Sequence, residues 1–390
     1  MKSSPAPQWA RISELAPQSV TSVKPPSEAW LRPMKKLFSD TYFEARTRFL
    51  DATRVQSYRS SYSGPEGQPL STDVAYLGDP NANSLLVTIA GTHGVEGYCG
   101  SAAQLSLLQS QLADSLGGSV GILLIHALNA YGFAWDRRVT AEGCDLNRNF
   151  VDFSRPLPEN PGYDELADHL VPSDLSAESL AVAERAIAEF RATRGETAFQ
   201  TARKKGQYSR PEGMFFGGRR PSEPRQVLEK ICIDYRVAER QNVIIVDYHT
   251  GLGPYGYGEL QTETSSGLEG YHRAFEIFGP SVTSPDLGTS SSVAITGTQD
   301  EFWQRELGGR HTYVCLEFGT FSPDKGREVL RNDHWLFACH PDQANTEIGK
   351  RIRNATREHY NPGRPDWREM VLSRCDQVHR QAFAALTQAK

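Results

Sequence analysis

Four short runs rich in Val, Ile and Leu govern what this chain can fold into: Leu85 to Ala90, Val120 to Ala127, Val243 to Val246 and Thr312 to Phe318. Each is too short for a good helix. The three most continuous carry the pattern of strands buried on both faces, as in parallel or mixed sheets. Helical stretches lie between them, at Ala102 to Leu112 and at Ser176 to Arg194. Ser176 is placed to cap the second of these, which runs through Leu180, Val182, Ile187 and Phe190. The alternation predicts an α/β fold.

Three of the runs end in residues able to do chemistry. The first leads into Gly91-Thr92-His93-Gly94-Val95-Glu96-Gly97 and the third into Asp247-Tyr248-His249-Thr250-Gly251. The fourth contains Glu317 and continues into Phe318-Gly319-Thr320. Ligands of open α/β sheets bind outside the carboxyl ends of the strands, so a sheet that joins these strands also gathers their polar tips.

Composition narrows the function. Of 390 residues 38% are apolar and 23% charged, enough for a sizeable core and unlike a disordered or fibrous chain. Forty-two basic against 47 acidic residues give a net charge of −5 and no reason to expect nucleic acid as partner. No apolar run approaches the eighteen or so residues that cross a bilayer, so no membrane partner is expected. Met1 to Pro17 lacks the apolar stretch of a secretory signal, and the six cysteines include no C-x-x-C pair. Reduced thiols in a cytoplasmic protein are the expectation.

Residues 1–35, rich in Pro, Ser and charge, read as a poorly ordered or surface-wrapped leader. Residues 36–390 read as one domain. It opens with a helix at about 36–55, where Phe38, Tyr42, Phe43 and Phe49 recur at helical spacing, and a turn region at 61–69 follows. An insertion at about 150–240 contains the aromatic, Gly-rich loop Gln207–Gly218, and a helical extension at about 341–390 is broken at Asn361 to Pro365. Exposed apolar surface on the insertion would suit a homodimer.

His93 and Glu96, three apart in a Gly-rich turn, can offer an imidazole nitrogen and a carboxylate to one Zn²⁺, with Gly94 and Gly97 letting the backbone turn sharply. His249, at a strand end, is the best third ligand, and a His₂Glu set with an open position is that of a catalytic zinc. An isolated H-x-x-E is a weak motif, and a turn histidine is the favoured reading of one; here three further pieces accompany it. Asp145-Leu146-Asn147-Arg148-Asn149-Phe150 carries an arginine suited to a carboxylate. Arg138, like its neighbour Arg137, reads equally as a surface residue. Glu317 sits in an apolar run, where a glutamate needs a partner or a function. His126 reads as a core histidine, and Asp333-His334 as exposed-looking but ambiguous. The serine of Gly117-Gly118-Ser119-Val120-Gly121 precedes a strand, which is wrong for a nucleophile elbow.

In this order, H-x-x-E, an N-P-x-G-like turn, R…D-L-N-R-N-F, a distant His and L-E, the chain resembles the zinc carboxypeptidases of the carboxypeptidase A type. It looks like an uncharacterised bacterial branch of that clan, near the murein-peptide amidases and the aspartoacylase and succinylglutamate-desuccinylase deacylases. The resemblance spans residues 85 to 320. It implies a three-layer α/β/α sandwich with a mixed, mostly parallel sheet, and one Zn²⁺ per chain on His93, Glu96 and His249. It also implies Arg138 polarising the scissile carbonyl, Asn147 and Arg148 holding a substrate carboxylate, and Glu317 as general base. Asp247 or Asp145 would accept a hydrogen bond from a ligand imidazole.

The chain departs from the pattern in having Ala130 where Pro is usual, and in the 156-residue separation of His93 and His249. The stretch Ser290 to Thr298 also lacks the tyrosine that carboxypeptidase A-type members place before the catalytic Glu. That leaves room for a deacylase or amidase, with the Gln207–Gly218 loop either closing the pocket or packing on the core. The expected activity is hydrolysis of an amide, peptide or N-acyl, next to the carboxylate of a small-molecule or short-peptide substrate. A non-catalytic metal-binding relative is the alternative, which the presence of Glu317 disfavours.

Overall fold

The apolar runs become the centre of a single sheet. The computed structural model describes residues 37–388 apart from 115 and 117, so the leader expected at 1–35 lies outside the described residues. Eight strands are present: β1 (Gln56–Ser63), β2 (Pro69–Leu77), β3 (Ser84–Ala90), β4 (Val120–His126), β5 (Asn242–Tyr255), β6 (Gly258–Gln261), β7 (Val282–Thr283) and β8 (His311–Gly319). They lie in the order β1-β2-β4-β3-β5-β8-β6-β7. The central four, β4, β3, β5 and β8, run parallel, while β2 and β6 flank them antiparallel. The sheet is thus mixed and mostly parallel, as expected.

Every residue of β3, β4 and β8 is buried, because helices cover both faces. Leu86, Leu124, Val246 and Leu316 point to one face, against the helices Gly97–Leu108, Glu269–Phe278 and Pro365–Gln388. Val87, Ile125, Ile245 and Tyr313 point to the other, against Glu223–Asp234 and Gln299–Leu307. The period-2 alternation supplies each face in turn, and three α/β/α layers result.

The first helix runs over Tyr42–Ala52, within the expected 36–55, with the Thr41 hydroxyl accepting from the amide of Glu44. Ser176 caps Ala177–Arg194, accepting from the amide of Ser179. The break at Asn361 to Pro365 separates the helices Glu347–Tyr360 and Pro365–Gln388. Strands β1 and β2 were not legible. β1, QSYRSSYS, is an edge strand with only Tyr58 buried, so it has no apolar run to show. β5 is far longer than Val243 to Val246, because it continues through polar Asp247 and His249 while paired with β8.

Two readings of exposure need correction. Arg137 and Asp333 are buried and paired, with Arg137 Nε 2.9 Å from Asp333 Oδ1, and His334 beside them is buried too. The motif made these polar residues look external, but they tie the helix Pro323–Cys339 to the turn that carries Arg138. His126 is a core histidine, stacked on Phe49 with Nε2 3.0 Å from Ser101 Oγ. All six cysteines are free thiols. Among the described residues no helix is long and apolar enough to cross a membrane.

Candidate metal centre

The loop after β3 and the middle of β5 meet because β3 and β5 are adjacent and parallel. The loop turns at Gly91, at φ +76°, not at Gly94 or Gly97. Those two glycines serve close approach instead: a Cβ on Gly94 would lie 2.1 Å from the backbone of Gly132, and one on Gly97 would lie 2.5 Å from the Phe133 ring. The His93–Glu96 turn therefore lies flat on the Asn129–Phe133 turn, and His93 and Glu96 point together toward His249.

His93 Nδ1 is 3.0 Å from Glu96 Oε1, His249 Nδ1 is 3.0 Å from Glu96 Oε2, and the two Nδ1 atoms are 3.0 Å apart. All three residues are buried. His249 Nε2 lies 2.8 Å from Asp247 Oδ2, and His93 Nε2 lies 3.2 Å from Asp145 Oδ1. With its Nε2 proton donated to Asp247, His249 can turn an Nδ1 lone pair toward the other two once a metal displaces the Nδ1 proton that Glu96 otherwise attracts. The three converging groups could hold a cation among them. Zn²⁺ bonds of about 2.1 Å set ligand atoms about 3.4 Å apart in a tetrahedron, so the observed 3.0 Å fits a bound divalent ion with little adjustment. Asp247 lies where an acceptor for the His249 imidazole belongs and is itself fixed by Thr92 Oγ1 at 2.8 Å, Gln299 Nε2 at 3.0 Å and the Tyr313 hydroxyl at 3.2 Å, whereas His93 Nε2 is shared between Asp145 and the Arg138 guanidinium.

Arg138 sits on this group. It donates to Glu96 Oε1 at 2.8 Å and to Asp145 Oδ2 at 2.9 Å, and its Nη2 lies 2.8 Å from His93 Nε2. Burial alone would raise Glu96 and Asp145, but Glu96 gains more from His93, His249 and Arg138, and Asp145 from Arg138, His93 and Arg148. Both carboxyls fall well below the usual range. Burial opposes the charging of His249, yet Asp247 and Glu96 outweigh it and raise that histidine well above its ordinary value.

Glu317 lies opposite His249 across the β5–β8 pairing and accepts from the amide of Leu252 at 2.9 Å. Burial, then the negative charge of Glu96, pushes it up to about 8. A dication on the neighbouring triad would act in the opposite sense. His249, Cys315 and Glu317 form a second grouping of possible ligand atoms that shares His249 with the first.

Asn147 and Arg148 face the same cavity as His93, His249, Arg138 and Glu317. Their donors and acceptors are partly committed. Arg148 gives Nε and Nη2 to the carbonyl of Lys204, at 3.1 and 2.7 Å, and Nη1 to that of Asn147 at 2.8 Å, while the Asn147 amide oxygen accepts from Gln299 N at 2.8 Å. The Gln207–Gly218 loop does both things considered for it. Phe215 lines the cavity, with the guanidinium carbons of Arg138 and Arg148 each 5.5 Å from its ring centre, while Met214 and Phe216 are packed inside.

Several cavity residues escaped the sequence reading. Tyr360 reaches the cavity from the helix Glu347–Tyr360, although no tyrosine stands in Ser290 to Thr298. Glu263, just past β6, is raised to about 7 by burial and by Asp300. Arg203 and Lys204 enter from the end of the helix Glu196–Lys204 in the insertion. Only the cationic pair Arg203-Lys204 stands out in the sequence, and charged pairs at helix ends are common surface features.

Residues 38–374 match the family described as "Protein of unknown function (DUF2817)", and the chain belongs to that family. No curated protein matches its sequence. Among solved structures it is similar to bovine thrombin-activatable fibrinolysis inhibitor in complex with tick carboxypeptidase inhibitor, at 14% identity over 86% of this chain and 96% of that one, TM-score 0.36. It is also similar to murein-tripeptide amidase MpaA from Escherichia coli O157, at 17% identity over 77% and 91%, TM-score 0.32. A putative succinylglutamate desuccinylase/aspartoacylase family protein from Shewanella amazonensis SB2B gives 19% over 73% of each chain, TM-score 0.32. Likeness at this level says nothing about which reaction this chain performs.

Proposed function

We propose that this chain is a zinc-dependent hydrolase cleaving an amide bond, peptide or N-acyl, beside a substrate carboxylate. The observation that carries the reading is the convergence of His93 Nδ1, Glu96 and His249 Nδ1 at 3.0 Å spacings, with Glu317 on the same cavity. His93, Glu96 and His249 would hold the ion, which supplies Lewis acidity and water activation near neutral pH. Glu317 takes the proton of the attacking water and later delivers it to the leaving amine. Its place on the cavity opposite His249, held by the amide of Leu252, suits that task. Arg138 holds a positive charge at the edge of the ligand group, where negative charge grows on the carbonyl oxygen. Asn147 and Arg148 orient the substrate carboxylate.

The test is metal content by elemental analysis of wild type, Glu317→Gln and His249→Ala, with an amide-hydrolysis screen on the same preparations. The expected result is one metal per chain, kept in Glu317→Gln and lost in His249→Ala, with activity reduced by about 10²–10⁴-fold or more in both. A His249→Ala protein with undiminished metal, or an active Glu317→Gln, overturns the assignment. Peptide trimming against release of amino acid from N-acyl amino acids then separates carboxypeptidase from deacylase.

A further inference from the structure

The charge in the cavity does not balance at its insertion end. Arg138 is matched by Glu96 and Asp145, and Arg327 by Glu184 at 2.6 Å. Arg203 and Lys204 have no such match. Both are buried, at 3% and 8% exposure, and both line the cavity. Arg203 donates from Nη2 to the neutral amide of Gln200 at 3.0 Å, packs on the Phe199 ring, and leaves its buried Nε without a partner. Among the described residues no ion pair within 4 Å reaches Arg203 or Lys204, and Glu317 acts on Lys204 only through its longer-range charge. The carbonyl of Lys204 accepts both Nε and Nη2 of Arg148, so the backbone carrying the two cations is tied to a third.

Leaving buried cations unpaired costs several kcal/mol each in a water-poor site. A fold carries that cost where a ligand supplies the missing charge. The centre assigned to zinc cannot supply it, since the ion is itself positive and its carboxylates are already used by Arg138.

We propose that Arg203 and Lys204 form an anion subsite, so that the substrate is a dicarboxylate amide: one carboxylate goes to Asn147 and Arg148, and a second, on an aliphatic arm, goes to Arg203 and Lys204. The inference rests on the hydrolase reading for the word substrate, but not for the subsite. Arginine offers a planar fork to a carboxylate and lysine a point charge, a pair suited to a terminal carboxylate that arrives from the cavity. A neutral side chain in that position would leave both cations without a partner, so selectivity against it is built in.

The test uses metal-loaded Glu317→Gln protein, calorimetry, and simple probes at equal ionic strength: glutarate, butyrate and inorganic phosphate. Glutarate should bind at least tenfold more tightly than butyrate. The preference should vanish in Arg203→Gln/Lys204→Gln on the same background, with butyrate binding retained as the sign that the cavity is intact. Lys204→Met alone, which keeps the aliphatic stem, should lose part of the preference. Equal binding of glutarate and butyrate, a preference that survives the double substitution, or phosphate outcompeting glutarate overturns the proposal. A parallel assay on wild type with N-acyl glutamate and N-acyl glutamine separates the two ideas. Equal cleavage of both leaves a hydrolase without the subsite. No cleavage of either, with the glutarate preference intact, leaves the subsite and removes the hydrolase reading.

Discussion

The two ends of the cavity treat charge in opposite ways. At the strand end, two histidines, Glu96, Asp145, Asp247 and Arg138 form one closed network in which each polar group meets another. At the insertion end, Arg203 and Lys204 are also buried, form no ion pair, and feel a carboxylate only through the longer-range charge of Glu317 on Lys204. A closed network resists rearrangement and can hold a metal in fixed geometry. An unbalanced one is a cost in the empty protein and an affinity in the loaded one. The difference teaches that pre-organisation and ligand demand are separate properties, built here from different elements: parallel strands for the first, the end of an inserted helix for the second.

The comparison is broken most sharply by opening the closed network. Arg138→Met should leave the fully buried carboxyls of Glu96 and Asp145 without their countercharge, and lower stability of the metal-free protein by about 3–5 kcal/mol. Urea unfolding of the metal-free protein measures it. Loaded with metal, the variant should recover part of the loss, because the dication replaces the missing positive charge beside Glu96. A metal-free variant as stable as wild type would show that the network is not closed by Arg138.

A smaller effect is expected from Asp247→Asn. The carboxylate accepts from His249, Thr92, Gln299 and Tyr313 together. An amide keeps the shape but replaces one acceptor with a donor, which disfavours the His249 tautomer that presents Nδ1. Metal affinity should fall about 10–100-fold, read by competition with a chelator. An unchanged affinity would mean that His249 is oriented by packing alone.

The same contrast explains what the sequence could reveal. Strands β3, β4 and β8 announce themselves because burial on both faces leaves their interiors almost wholly apolar, with Thr88 and Glu317 among the few exceptions. His93, Glu96, His249 and Glu317 follow, since the topology sets β3, β5 and β8 side by side, with His93 and Glu96 just past β3, His249 paired in register with Glu317, and Glu317 near the end of β8. β1 was hidden because an edge strand with one buried side chain has no apolar signature. Arg137, Asp333 and His334 stayed open in the sequence because a buried pair looks, residue by residue, like two surface charges. Arg203, Lys204 and Tyr360 were hidden for a further reason: nothing local decides which turn of a helix faces a cavity formed by distant segments. The spacing of Gly94 and Gly97 was legible, but its cause was close approach to Gly132 and Phe133, and only the packing reveals that.

The smallest predicted effect is also the one with the less usual sign. Burial, then repulsion from Arg203, lowers Lys204 from 10.5 to about 7, whereas the unfolded chain keeps the ordinary lysine value. Below pH about 7 the ammonium is charged in both states and the folded protein bears the full penalty. Between about 7 and 10.5 the folded state gives up the proton first, so the penalty shrinks as pH rises and is gone once both states are neutral. Lys204→Met keeps most of the apolar stem and removes the charge. It should therefore stabilise the protein, by about 1–2 kcal/mol at pH 6–7 once relaxation toward the cavity water is allowed for, a rise of a few degrees in Tm. The gain should fade toward pH 10, and saturating glutarate should erase it by stabilising wild type more than the variant. A Lys204→Met protein less stable than wild type at pH 6 would mean that the insertion end is balanced after all, and the distinction between the two ends of the cavity would not hold.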